Sequence, residues 1–187
     1  MNAYETWFCG SWVWRWVTRR QLLPWILEGS ELGEHVLELG SGPGAATEEL
    51  RLRAGRVTSL EYDHAFAARL AQKYGNGAGV VQGDAATLPF ADRTFSSALA
   101  VLVLHHVRSS ELQDRSLAEI HRVLQPGGRF FALEIQDGWF HRLIHTKSTF
   151  VPVRPATLAA RLTSAGFAGV TVDYRGNAFR FRASREN

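Results

Sequence analysis

Residues 36–44 read Val-Leu-Glu-Leu-Gly-Ser-Gly-Pro-Gly, an apolar run that passes through Glu38 into a glycine-rich turn. Glycine in such a turn lets the backbone approach a ligand where a side chain would collide with it. The next residues, Ala45 to Leu52, read as a helix. Its first amides and positive dipole end would face the same space and favour an anionic group. The turn is therefore a nucleotide cradle. A second apolar run, Val57-Thr58-Ser59-Leu60, ends in Glu61, 21 positions after Gly40. A carboxylate at that spacing can accept hydrogen bonds from both hydroxyls of a ribose. Gly40, Gly42 and Ala45 also satisfy the G-x-G-x-x-G/A form used by dinucleotide enzymes, so the turn alone leaves a nicotinamide oxidoreductase open.

Alternating short apolar runs and helical stretches must carry these residues. Strands are predicted near 35–39, 57–60, 79–82, 96–103 and 129–135, with helices near 45–53, 64–74 and 110–124. Ser110 with Gln113 forms a capping box for the last of these helices. Pro155 then opens a helix through Ala165 that Gly166 closes. Val170–Tyr174 and Phe179–Ala183 read as strands joined across Arg175-Gly176-Asn177, an antiparallel hairpin. Such alternation argues for an α/β fold, a mostly parallel sheet covered by helices on both faces. In that arrangement the ligand lies beyond the carboxyl ends of the strands.

Four motifs occur in order: Glu38-Leu39-Gly40-Ser41-Gly42-Pro43-Gly44; Glu61; Gly83-Asp84-Ala85 with Leu88-Pro89-Phe90; and Arg122-Val123-Leu124-Gln125-Pro126-Gly127-Gly128. With them the chain resembles the class I S-adenosylmethionine-dependent methyltransferases, and within these the type 11 group of mostly small-molecule enzymes, over residues 34–184. The resemblance implies a Rossmann-like, doubly wound seven-stranded sheet in the order 3-2-1-4-5-7-6, with the last strand antiparallel. It implies S-adenosyl-L-methionine as cofactor. By the same resemblance Glu38, Gly40 and Gly42 take the methionine moiety, Glu61 the ribose, and Asp84 with the Ala85 amide the adenine edge. Ser41, Gly44 and Tyr62 complete the cofactor-binding set. Glu38, Gly83-Asp84 and the terminal hairpin disfavour the oxidoreductase. The sequence departs from the family pattern at Ser96, where relatives commonly carry an acid after the Phe, which bears on local support beside the cofactor. The missing acid keeps a non-catalytic cofactor-binding module as the alternative to an enzyme.

Methyl transfer from a sulfonium needs alignment of the nucleophile and exclusion of water more than covalent help from the protein. A general base is needed only where the acceptor is protonated. His105 and His106 follow the fourth strand, where the methyl group should lie, and are the candidate bases. Neighbours on an extended strand point to opposite faces, so only one of the two is expected in the pocket.

At 187 residues the chain is about one domain long, and with 45% hydrophobic and 21% charged residues it has a globular composition. Cys9 is its single cysteine, which excludes an internal disulfide framework and fits a reducing compartment. No Cys/His grouping has metal-site spacing. The N-terminus lacks a basic cluster, and the longest apolar run, Ala98 to Leu104, falls well short of the ~20 residues of a spanning helix. A cytoplasmic location is expected. The net charge of +3 is small, and Arg175, Arg180, Arg182 and Arg185 read as a mixed surface, so nucleic acid is not expected as a partner.

Five of the six tryptophans, Trp7, Trp12, Trp14, Trp16 and Trp25, precede residue 26, interleaved with Phe8, Arg15, Arg19 and Arg20. Residues 1–30 are expected to form a lid or packing segment over a methyltransferase domain at 31–187, with a membrane-surface helix as the other reading. The segment from Gln136 to Pro152, with Trp139, Phe140, His141, His145 and Phe150, is the second candidate wall. The expected partner is a small, apolar or aromatic acceptor molecule.

Overall fold

In the computed structural model, residues 7–75, 79–138 and 149–186 are described. Trp139, Phe140, His141 and His145 lie outside them. Seven strands form one sheet: β1 (His35–Leu39), β2 (Arg56–Glu61), β3 (Val80–Gln82), β4 (Phe95–Val101), β5 (Leu124–Ile135), β6 (Phe167–Arg175) and β7 (Ala178–Arg185). Their order is β3-β2-β1-β4-β5-β7-β6. The first five pair in parallel, and β7 runs antiparallel to both β5 and β6. The order reverses between β1 and β4, so the connections that follow their carboxyl ends run to opposite sides and leave a crevice.

Side-chain alternation builds a core on each face. Leu37, Ala98, Phe130 and Ala132 point to one layer, while Val36, Leu99, Phe131 and Leu133 point to the other. The first layer is closed by Leu117, Ile120 and Val123, and by Leu158 and Leu162. The second is closed by Leu50 and by Leu23, Ile26 and Leu27 near the start of the chain.

Helices among the described residues include α1 (Trp12–Val17), α2 (Leu23–Leu27), α3 (Ala45–Leu50), α4 (His64–Tyr74), α5 (Ser110–Val123) and α6 (Pro155–Ser164). α1 begins at Ser11, whose hydroxyl accepts the Trp14 amide at 3.1 Å, and runs into α2 through a π-helical turn, Thr18–Leu22. Pro24 accounts for the wide turn. Its ring would strike the carbonyl of residue 20 in a regular helix, and the wider turn, in which the Leu23 amide bonds to the Thr18 carbonyl, relieves that clash.

Several predicted boundaries shift. β4 ends at Val101, not 103, because Leu102 adopts φ 58° and Leu104–His106 coils into a 3₁₀ turn. The cap of α5 is Ser109, whose hydroxyl accepts the Leu112 amide, not Ser110; Gln113 turns away and donates to the carbonyls of Leu104 and Val151. Ser96 lies at the amino end of its strand, away from the crevice. Its hydroxyl bonds to the Leu32 and His35 carbonyls and to the His35 amide, pinning the entry to β1.

Candidate active site

Beyond the carboxyl ends of β1, β2, β3 and β4 lies a cavity of about 730 Å³. Its floor is the glycine turn, Glu38 to Pro43 with Ala45 and Ala46, while Gly44 packs behind it; one side is Leu60 to Asp63 with Gly83 to Ala85, and the other is Val101 to Val103 with His105 to Arg108.

Glu38 is buried in β1 and faces its register partner on β2, Ser59. The hydroxyls of Ser59 and Thr47 each donate to Oε2 at 2.6 Å, which explains why a strand otherwise read as apolar carries a serine there. Burial pushes the Glu38 carboxyl up to about 7, against the lowering effect of the two hydroxyls. It is thus poised between charged and neutral, and a cation arriving in the cavity would draw it to the charged form.

Glu61 also bonds within the protein. Its Oε2 accepts the Gly42 amide at 2.7 Å and its Oε1 the Asp63 amide at 2.9 Å. Each oxygen keeps a further lone pair for a ligand hydroxyl. The residue thereby ties the glycine turn to the end of β2. Tyr62 follows on the rim, 58% exposed, its hydroxyl bonded to Arg108.

The glycines divide into two kinds. At Gly40 (φ +63°) an added Cβ would lie 2.6 Å from Val103, and at Gly44 (φ +85°) 2.5 Å from Leu70. Both are required by the protein's own packing. Gly42 (φ +50°) lines the cavity and has nothing within 4 Å of that position, so its open space faces a ligand and not the protein's own packing. Beside it Ser41 Oγ is buried with no partner among the described residues.

Asp84 closes its own turn, Oδ1 accepting the Ala86 amide at 2.8 Å, and leaves Ala85 on the cavity wall. The loop after it is clamped from α5. Arg122 donates to the Leu88 and Phe90 carbonyls, and Glu119 accepts the Leu88 amide. That contact connects two sequence motifs 34 residues apart.

At the other end of the cavity the two histidines sit on the 3₁₀ turn, not on a strand, and both line the space. The expected alternation fails because the backbone is not extended there. Glu134, near the end of β5 and fully buried, organises the turn: Oε1 accepts the Val103 and Leu104 amides at 3.0 and 2.7 Å, and Oε2 lies 2.5 Å from His105 Nδ1. A proton on Nδ1 bonded to Glu134 leaves the lone pair of the neutral ring on Nε2. His106 instead donates from Nδ1 to the Thr149 carbonyl at 3.1 Å, and Phe150 packs on the His105 ring. Glu134 was absent from the sequence-based candidates. Its signal was available, since it is an acid at the end of an apolar strand, as Glu38 and Glu61 are.

Phe8 and Trp14, with rings 5.3 Å apart, and Thr18 close the cavity from the N-terminal helix. That helix is anchored far away. Buried Arg180 of β7 bonds to the Trp25 carbonyl, to Glu28 and to Asp173, and Arg182 pairs with Glu28. Arg185 bonds to the carbonyls of His121, Arg122 and Leu124. Three of the four terminal arginines are therefore structural.

A family model described as a methyltransferase domain matches residues 37–132. A demethylmenaquinone methyltransferase from Thermobifida fusca is 38% identical over 106 residues, covering 54% of this chain and 44% of that protein. A ubiquinone/menaquinone biosynthesis C-methyltransferase from Rubrivivax gelatinosus is 30% identical over 125 residues, covering 66% and 48%. The chain thus spans about half the length of the curated relatives it matches. The solved structure of a possible histamine N-methyltransferase from Thermotoga maritima superposes with a TM-score of 0.77 at 21% identity, over 99% of this chain and 95% of that one, a likeness of fold.

Proposed function

The chain belongs to the methyltransferase-domain family of class I S-adenosylmethionine-dependent enzymes, and from that premise we propose that it methylates a small apolar or aromatic acceptor carrying an ionisable hydroxyl. When bound, S-adenosyl-L-methionine supplies an electrophilic methyl group on a sulfonium. The residues suit that group. Glu38, Gly40, Ser41, Gly42 and Gly44 would hold its methionine part, Glu61 with Tyr62 its ribose, and Asp84 with Ala85 its adenine edge. In support, Gly42 opens onto the cavity, Ser41 Oγ is buried without a partner among the described residues, and both Glu61 oxygens retain a lone pair.

The observation that carries the acceptor reading is the buried Glu134–His105 pair at the opposite end of the cavity. Glu134 fixes the ring and stabilises the imidazolium that forms when Nε2 takes a proton, which is what a general base for a hydroxyl requires. Phe8, Trp14, Val103 and Val107 supply the apolar walls around it and exclude water. The names of the two relatives, both enzymes of quinone biosynthesis, agree with an aromatic acceptor.

The test is direct. Purified protein with S-adenosylmethionine and a panel of apolar phenols and hydroquinones should yield S-adenosylhomocysteine and an acceptor heavier by one methylene. Turnover should fall on His105→Ala. Tight binding of S-adenosylhomocysteine with no turnover on any hydroxylated aromatic, and faster turnover on amines, would replace this reading with an N-methyltransferase.

A further inference from the structure

The helical run at residues 12–27 is apolar on two sides. Trp14 and Thr18 face the cavity and Leu23, Ile26 and Leu27 enter the core, yet Trp12 is 74% exposed, Trp16 51% and Val13 41%. Positions 12, 13 and 16 share one helical face. Of the eight large hydrophobic side chains exposed among the described residues, these three, Trp7 and Phe8 all fall within residues 7–16. A helix of a water-soluble domain ordinarily turns a polar face outward, so this one has a further partner.

The charge around the face identifies the partner. Between Glu5 and Glu28 the sequence holds Arg15, Arg19 and Arg20 and no acid. All three arginines are exposed, and Arg19 reaches Glu49 at 3.1 Å on α3, where Arg51, Leu52 and Arg53 are exposed as well. A second copy meeting this face by two-fold symmetry would bring like charges together with no acid on the segment to answer them. Tryptophan and arginine around an apolar face match a bilayer interface, where the indoles sit at headgroup level and the guanidinium groups meet anionic phosphates.

We propose that Trp12, Val13 and Trp16 insert at the surface of an anionic bilayer, with Arg15 and Arg20 on its phosphates, and that this face is the protein's membrane-docking surface. Among the described residues no helix is long and apolar enough to cross a membrane, so the contact is interfacial. The same segment carries Phe8 and Trp14 into the cavity wall, so docking brings the acceptor end of the cavity towards the lipid. The inference does not depend on the methyl-transfer reading, since docking is measured without turnover.

Sedimentation of the full chain with vesicles of phosphatidylglycerol and phosphatidylcholine, at about 0.15 M salt, tests it. The protein should bind these vesicles and bind pure phosphatidylcholine at least about tenfold more weakly. Trp12→Ala with Trp16→Ala, and separately Arg15→Glu with Arg20→Glu, should each lower the partition about tenfold or more. Both double variants should keep the wild-type unfolding temperature and S-adenosylhomocysteine affinity, which establishes that fold and cofactor site are intact. Wild-type sedimentation by the tryptophan variant would overturn the proposal, as would absence of binding to anionic vesicles. A concentration-dependent dimer in sedimentation velocity, dissolved by the tryptophan pair while vesicle binding stays absent, would assign the face to a second copy.

Discussion

The two ends of the cavity are built differently. At the end formed by β1, β2 and β3, both candidate glutamates are also structural ties: Glu61 holds the glycine turn, Glu38 locks Thr47 and Ser59, and beside them Gly40 gives way to Val103. At the end formed by the 3₁₀ turn and the N-terminal helix, one buried carboxylate positions one ring, and the walls are apolar side chains from distant parts of the chain. On the proposed function, ligand binding and folding would be coupled at the first end and separable at the second. Substitutions should divide accordingly.

The largest effect is expected at the second end. His105→Ala should lower turnover by about 10²–10⁴ while S-adenosylhomocysteine affinity by calorimetry stays near wild type. Glu134→Gln should lower turnover less, because the ring and the Val103 and Leu104 amides lose the carboxylate that positions them. Equal turnover in wild type and both variants would mean that alignment alone drives the reaction. Gly40→Ala should damage fold and affinity together. Its Cβ meets Val103 at a positive φ, and unfolding stability should drop by about 2–4 kcal/mol, against about 1 kcal/mol for Gly42→Ala in open space. Denaturant titration of the two variants separates a packing glycine from a ligand-facing one.

Glu61→Ala should weaken cofactor binding by about one to two orders of magnitude, through loss of hydrogen bonds to a charged group worth roughly 1.5–3 kcal/mol. It should also lower the unfolding temperature, since two backbone amides lose their acceptor. A variant that lost affinity with its stability untouched would break the coupling argued for this end. The last effect, seen only as a function of pH, concerns Glu38. Its carboxyl is raised from 4.5 to about 7 in the folded protein, so its contribution to stability is whole below the lower value and fades as pH rises through the higher one. In ligand-free protein, Glu38→Gln should therefore gain stability relative to wild type between pH 5 and pH 8, by on the order of 1–3 kcal/mol. Thermal unfolding across that range would show the gap widening and then levelling off; a constant gap would mean that Glu38 does not titrate there.

The first end was legible in the sequence because its parts are local. Strand, glycine turn and strand-end acid follow one another within 26 positions from Val36 to Glu61, and α4 at His64–Tyr74 came out with its predicted bounds. The sheet order followed from the family resemblance, and the terminal strands ran longer than their apolar cores suggested because hairpin pairing continues through Arg175 and Arg185. The second end was hidden for two physical reasons. Val101 to Leu104 is apolar throughout, so nothing in its periodicity marks the break at Leu102. The partner of His105 lies 29 residues away and is reached only once β4 and β5 have paired. In the N-terminal segment the tryptophans alone do not say which of them faces inward, since the helical run is broken by the wide turn before Pro24.

The tie between Trp25 and Arg180 spans 155 positions. Closing so long a loop costs chain entropy that only late contacts repay. During synthesis, therefore, the crevice between β1 and β4 can take shape with the aromatic segment held only by Leu23, Ile26 and Leu27, and that segment gains its Arg180 tie only after β7 has been made. The nascent enzyme would pass through an interval in which the cofactor pocket exists and its apolar wall remains unfastened, with the tryptophans available to whatever hydrophobic surface lies nearest.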